Sequence, residues 1–258
     1  MTSTLRTMEA FYRQKSSRRN VDAEISSKEL EIAQKGLLWS VREEVRRIVQ
    51  GRSIPRLIEL GAGTGSNLFL LRDIVPQTEL VAADFYGEPP SKNFDGISQV
   101  DVDITSGNLK DVLGSADLVL LIEVIEHVFS PDDLLSDVRS MLSDGGHVII
   151  TTPNLSSGLN RLMLLLGWLP LGMEVSTVKT YGRPGSSDLV GHIRVFTLRG
   201  LKEMIRDRGF VIERCYTRPS DFNTSEVRGR WFLSVLDHLF STVSKSLGSR
   251  IVVVARRV

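Results

Sequence analysis

Leu57-Ile58-Glu59-Leu60-Gly61-Ala62-Gly63-Thr64-Gly65-Ser66-Asn67-Leu68-Phe69-Leu70-Leu71 is the stretch whose reading decides the fold. Leu57 to Leu60 are mostly apolar and read as a buried strand. Gly61, Gly63 and Gly65 make a loop with no side chains in the way. From Ser66 the chain is apolar at helical spacing, with Leu68, Leu71 and Ile74 on one face. Strand, glycine loop and helix in that order form a nucleotide cradle. Glycines let backbone N–H groups approach a ligand, and a helix N-terminus favours negative charge.

The glycine spacing chooses between ligands. A dinucleotide fingerprint is G-x-G-x-x-G, whose third glycine lets the helix pack close to the strand beneath a pyrophosphate. Here the pattern is G-x-G-x-G, with Glu59 two residues ahead of it. A carboxylate there repels phosphate and suits a cationic ligand or an ammonium group. The chain also lacks a Tyr-x-x-x-Lys pair, which weakens a nicotinamide-dependent dehydrogenase or epimerase reading. The Glu-x-Gly-x-Gly-x-Gly pattern resembles motif I of the class I S-adenosylmethionine-dependent methyltransferases, in which the loop wraps the amino-acid end of the cofactor.

Working outward, strands and helices alternate. Leu80-Val-Ala-Ala-Asp84 reads as a second strand. It ends in an acid 25 residues after Glu59, about where a doubly wound sheet places a ribose-binding carboxylate. Phe85 and Tyr86 follow and could border an adenine. Ile97 to Ile104 alternates as a third strand. The resemblance implies an acid at its end near the adenine amino group, beside an apolar residue over the ring. Asp103 and Ile104 fit, with Asp101 a rival on the same strand face. Ala116 to Ile122 is apolar enough to be buried on both faces. Ser130-Pro-Asp-Asp133 supplies an N-cap, a proline at the first helical position and two acids in the first turn. Asp144-Gly-Gly146 stops that helix, and His147 to Thr152 is the fifth strand. Thr197 caps a helix over 198–208, Val211 to Tyr216 is the sixth strand, and a helix over 230–247 precedes a last strand at Arg250 to Ala255. Upstream, Ser26 and Glu29 form a capping box for a helix running to about Gln50.

This order predicts an α/β fold: a doubly wound, seven-stranded, mostly parallel sheet with a lid insertion after strand 5. The family has its seventh strand antiparallel beside the sixth. The whole chain reads as one domain. Residues 1–50 are an N-terminal arm and helix, 51–154 the cofactor-binding core, 155–197 a substrate lid and 198–258 the C-terminal part of the sheet. The resemblance implies S-adenosylmethionine as cofactor and, as its contacts, Glu59, Gly61, Ala62, Gly63, Gly65, Asp84, Phe85, Asp103, Ile104 and Glu123.

The acceptor side is read from two histidines. His127 lies just beyond the fourth strand, on the carboxyl edge where α/β sites sit, and His192 lies in the lid-to-helix junction. Each is a candidate base for removing a proton from the acceptor, or a side chain that orders its loop. Glu123, Glu126 and His127, at i, i+3 and i+4, would share one helical face. Ubiquinone-pathway O-methyltransferases and small-RNA 2′-O-methyltransferases look similar here and hold a divalent ion with such a set. That role stays open beside one in which Glu126 pairs with an arginine, and no metal ligand is assigned.

The balance of 32 basic and 31 acidic residues, formally +1, argues against strong nonspecific nucleic-acid binding. One cysteine, Cys215, excludes an internal disulfide framework and fits a cytoplasmic location. Leu162 to Leu171 is too short to span a bilayer, which needs roughly 20 residues. Arg161 on this leucine-rich stretch leaves peripheral membrane contact open through 159–171. The expected activity is methylation, at oxygen, of a small-molecule, sugar or lipid-linked acceptor. The alternatives are metal-assisted 2′-O-methylation of RNA and a non-catalytic cofactor-binding partner subunit.

Overall fold

The computed structural model describes residues 36–85, 94–183, 189–220 and 230–258. The capping box at Ser26 and Glu29, Tyr86, and residues 184–188 of the expected lid lie outside the described residues. Seven strands form one sheet: β1 (Arg56–Leu60), β2 (Glu79–Asp84), β3 (Ile97–Asp101), β4 (Ala116–Ile122), β5 (Leu142–Pro153), β6 (Phe210–Arg218) and β7 (Arg250–Arg257), in the order β3-β2-β1-β4-β5-β7-β6. The pairs from β3 to β5 are parallel. β7 is antiparallel and lies between β5 and β6. The chain builds leftward from β1 and then rightward from β4. The strand order therefore reverses between β1 and β4, and the carboxyl ends of those two strands flank the crevice where such sheets bind ligands.

Strand alternation sorts the core into two layers. Leu57, Leu118, Leu120 and Ile149 point to the face covered by α1 (Leu37–Val49) and α2 (Ser66–Leu71). Ile58, Leu60, Val119, Leu121, Val148 and Ile150 point to the other. That face is covered by α3 (Leu109–Leu113), α4 (Pro131–Met141) and α6 (Leu198–Asp207), through Leu109, Leu135, Val138, Leu201 and Ile205. Strands covered on both sides need no polar face, which is why β4 is a continuous apolar run. In α1 the buried set includes Val41, Val45 and Ile48, at helical spacing.

Several local expectations are corrected. β3 ends at Asp101, so Asp103 and Ile104 sit in the turn that follows; the Val102 amide donates to Asp84 O (3.0 Å) as the last bond of the parallel ladder with β2. Ser130 makes no side-chain cap on α4, whose start instead rests on Pro131. Asp144-Gly-Gly146 does not stop α4, which ends at Met141. These residues lie inside the long β5, where the pairing with β4 jumps from Ala116↔Leu142 to Leu118↔His147. Gly145, at φ +72°, lets the chain bulge there. Thr197 does cap α6, its Oγ1 accepting from the Gly200 amide at 3.1 Å.

After β5 the chain forms α5 (Gly158–Leu165) and then irregular backbone before α6. Asn160 organises this segment. Its amide nitrogen donates to Asn154 O (3.1 Å) and Leu171 O (3.2 Å), and its oxygen accepts from the Leu171 amide (2.8 Å). Buried Asn154 ties the end of β5 to the start of β7 by donating to Ser246 O and Gly248 O. A final helix, α7 (Arg230–Val243), packs against α5.

Candidate functional site

The first half of the site lies at the end of β1. Gly61, Gly63 and Gly65 all have positive φ (71°, 57° and 81°), which side-chain-bearing residues rarely adopt. A Cβ on Gly61 would stand 2.6 Å from Val124 Cγ2, so the loop after β1 touches the loop after β4. The amides of this loop are not offered outward as a cradle. Gly61 and Ala62 donate to Ala83 O at 2.8 and 3.2 Å, and Gly63 donates to Asp84 Oδ2 at 2.6 Å. The expectation that loop N–H groups turn to a ligand is not met at Gly61, Ala62 and Gly63. The glycines shape the turn and clear space, while the N–H groups lock it to β2.

Glu59 is buried on β1. Asn67 donates to its Oε1 at 2.7 Å, and Oε2 has no hydrogen-bond partner. Burial, and to a smaller extent the nearby Asp84 charge, pushes its carboxyl up to about 8, against the opposing effect of the Asn67 bond. Asp84 ends β2 with Oδ1 accepting from the Phe85 amide (2.7 Å). Ala62 is buried and Phe85 half-buried beside them. Asp103 is exposed and closes a local turn, Oδ1 accepting from the Thr105 amide and hydroxyl at 2.8 and 2.7 Å. Ile104 packs partly against the core.

The second half lies at the end of β4. Glu123 is the one non-glycine residue with positive φ (54°) among the described residues. Such a conformation costs on the order of 1–3 kcal/mol and tends to mark functional edges. It turns the chain from β4 into a short 3₁₀ turn, Ile125–His127. The single helical face expected for Glu123, Glu126 and His127 does not form. The Glu123 carboxylate instead accepts from Arg250 Nε (2.9 Å) and Thr151 Oγ1 (3.1 Å). Glu126 is buried, accepts from Thr152 Oγ1 at 2.9 Å through Oε2, and leaves Oε1 without a hydrogen bond. Burial, reinforced by Glu123, holds its carboxyl well above the usual range.

Both histidines are fixed from behind by backbone carbonyls. His127 Nδ1 lies 2.9 Å from Gly191 O, and His192 Nδ1 lies 2.9 Å from Gly172 O. A carbonyl can only accept, so both Nδ1 atoms carry a proton, and in the neutral ring the lone pair is then on Nε2. The rings stand 4.8 Å apart. His192 Nε2 is 3.9 Å from Glu126 Oε1. One ligand atom from each of Glu126, His127 and His192 lies within 4.8 Å of the other two. Burial lowers the His192 imidazole below its ordinary value, which favours its neutral form. A small cleft lined by Pro153, Leu155, Leu171, Gly172 and Arg194 borders His192.

Glu174 was not singled out by the sequence. Its two carboxylate oxygens accept from the Val190 and Gly191 amides at 2.6 and 2.9 Å, which sets the carbonyl that anchors His127. No motif signals it, because an isolated acid in a loop-rich segment looks like surface charge. Thr152 and Arg250 were likewise hidden, as ordinary strand residues.

A methyltransferase-domain family model matches residues 30–214, well over half of the chain. The chain belongs to the class I S-adenosylmethionine-dependent methyltransferases. No curated protein matches it closely enough to count. Solved structures share the methyltransferase fold at low identity. An S-adenosylmethionine-dependent methyltransferase from Archaeoglobus fulgidus is 17% identical, with a TM-score of 0.53 over 90% of this chain and 100% of that one. The N-methyltransferase NodS from Bradyrhizobium japonicum WM9, solved with S-adenosyl-L-homocysteine, is 10% identical, with a TM-score of 0.52 over 95% and 97%. The [4+2]-cyclase SpnF is 14% identical, with a TM-score of 0.51 over 84% and 80%. Likeness at this level carries the fold and leaves the acceptor open. The residues present suit the methyltransferase cofactor: a buried, unpartnered Glu59 oxygen can meet an ammonium group, and Asp84 stands at the adjoining strand end.

Proposed function

We propose that this methyltransferase methylates an oxygen on a small, sugar or lipid-linked acceptor, with Glu126, His127 and His192 forming the acceptor side. The reading rests on one observation. The glycine loop and the turn carrying Glu126 and His127 touch, through Gly61 and Val124, at the reversal point of the sheet. On the cofactor side, Glu59 holds the amino group, Asp84 the ribose hydroxyls, and Phe85 and Ile104 border the adenine. The bound cofactor supplies a methyl group on a positively charged sulfur. The chain's main contribution is alignment of the acceptor, worth roughly 7–11 kcal/mol when the fit is good.

The chemistry of the triad favours a divalent cation between Glu126 Oε1, His127 Nε2 and His192 Nε2. An unpartnered buried carboxylate oxygen lies beside two imidazoles that are each held through Nδ1 by a backbone carbonyl. This is the outer-shell arrangement that metal-binding histidines use. Glu123 is drawn off to Arg250 and is left out of the set. A cation there would bind an acceptor oxygen and lower its pKa. In its absence, either Nε2 can itself receive the acceptor proton, and Glu126 would stabilise a charged His192. Transfer of labelled methyl to a panel of phenolic, sugar and lipid-linked acceptors tests the activity. Loss of turnover in chelator, restored by a divalent metal, is the expected outcome. Full turnover in chelator removes the cation and leaves the histidines as bases.

A further inference from the structure

The segment after β5 and the helix that packs on it expose their apolar side chains. Leu164, Leu165 and Leu166 are 57%, 83% and 53% exposed in succession, so they surround the end of α5 rather than form one stripe. Helix α7 buries Ser234 and Asp237, keeps Leu233, Leu236 and Phe240 half-buried, and still presents Phe232, Val235, Leu239 and Val243, the last at 78% exposure. Four exposed apolar side chains beyond those that face the fold make an outer face suited to a medium other than water. The two helices meet where Phe240 packs on Gly158.

The charges and aromatic residues indicate which medium. In the described parts of 155–183 and 230–249, the cationic side chains Arg161, Lys179 and Lys245 are exposed. The two acids there are withdrawn: Glu174 holds two backbone amides, and Asp237 is fully buried. Trp168 and Tyr181 are partly exposed on the same segment, and Lys179 lies over the Tyr181 ring at 4.9 Å. Leucines with tryptophan and tyrosine, ringed by lysine and arginine, match the headgroup boundary of an anionic bilayer. No helix among the described residues is long and apolar enough to cross a membrane, so contact would lie in the surface plane.

We infer that α5, the loop through Tyr181 and α7 dock this protein on an anionic lipid surface. The same segment carries Gly172 and His192, so docking would bring the triad to an acceptor held at the bilayer. That extension to a lipid-linked acceptor rests on the methyl-transfer reading; the docking itself does not.

The test is sedimentation of the full-length protein with vesicles of phosphatidylcholine alone, or of phosphatidylcholine mixed with phosphatidylglycerol. The protein is expected to partition into the mixed vesicles, less so as salt is raised. Leu165→Glu and Leu239→Glu, each at an exposed position, are expected to weaken partitioning about tenfold or more while the melting temperature holds. S-adenosylmethionine affinity in Leu165→Glu should match wild type, which separates failure of docking from failure of the cofactor site. Absence of partitioning, or unchanged partitioning in both variants, overturns the proposal. So does light scattering that shows a dimer broken by either substitution, since the face would then join two copies.

Discussion

The two halves of the site are built in opposite ways. The centre of the cofactor half lies on contiguous chain, with Glu59, the glycine loop and Asn67 within nine residues, and the amides of Gly61, Ala62 and Gly63 are engaged with β2. The acceptor half is gathered from distant positions. Glu126 and His127 come from the turn after β4, His192 from the far end of the insertion, and Glu174 from its middle. The first half is rigid because strand ladders hold it. The second is rigid only as long as the insertion holds its carbonyls behind the two imidazoles. A common ligand can be served by a fixed cradle, whereas acceptor choice can change by remodelling one segment.

The largest expected effect falls on the acceptor half. Glu126→Gln removes the carboxylate assigned to the cation and is expected to lower turnover by about 100-fold or more, beyond the roughly 10–100-fold that loss of an outer partner of a metal site costs. S-adenosylmethionine affinity should stay within a few-fold of wild type. A parallel collapse of cofactor affinity would show that the halves are not separate. On the cofactor half, Asp84→Ala removes the group that accepts from Gly63 and Phe85 and is assigned to the ribose. Affinity measured by calorimetry should weaken by about 1.5–3 kcal/mol, the scale of hydrogen bonds to a charged group. Unchanged affinity would reject Asp84 as the ribose ligand.

A pH series sharpens the contrast further. In the ligand-free fold Glu59 holds its proton up to about 8. Pairing with an ammonium needs the carboxylate, so binding must expel that proton. Affinity should therefore rise with pH, by about tenfold per unit between pH 6 and 7.5, since each unit is worth about 1.4 kcal/mol. Glu59→Gln should flatten the slope. The stability of the ligand-free protein runs the other way. Between the ordinary carboxyl value and about 8, the unfolded chain has lost a proton that the native state still holds, so this residue's contribution to stability falls as pH rises. Melting temperatures of Glu59→Gln against wild type across that window isolate its share from that of Glu126. A cofactor affinity flat with pH would mean that Glu59 does not meet the amino group.

What was legible in the sequence follows the same division. The glycine pattern, the acid at the end of β2 and the apolar β4 are local signals, fixed by backbone sterics and double-sided burial. They located the sheet and the cofactor edge, while the antiparallel β7 was implied only by the family resemblance. The third strand was read three residues too far because alternation continues past Asp101, while Asp103 already closes a turn by accepting from the Thr105 amide. Glu123, Glu126 and His127 were read as one helical face. The left-handed residue at Glu123 is a tertiary decision that helical spacing cannot express. His127 and His192 were picked out separately by position. Their meeting at 4.8 Å depends on Gly172 and Gly191, whose roles emerge only when the insertion folds back.

The smallest predicted effect is the most discriminating. Glu174 touches neither histidine ring; it holds the 190–191 backbone, whose carbonyl anchors His127. Glu174→Ala frees two amides on a half-buried loop and lets that carbonyl drift, so His127 Nε2 loses its aim. Turnover should fall several-fold to about tenfold, since a small misplacement near the reacting atoms costs a modest factor when no reacting group is removed. Cofactor affinity should be unchanged. Glu174→Gln keeps one acceptor oxygen and should recover part of the rate. If Glu174 were only a surface loop brace, alanine and glutamine would both lower the melting temperature and leave turnover per folded molecule unaltered. If the insertion orients the triad, the two variants separate in turnover with the cofactor half unaffected.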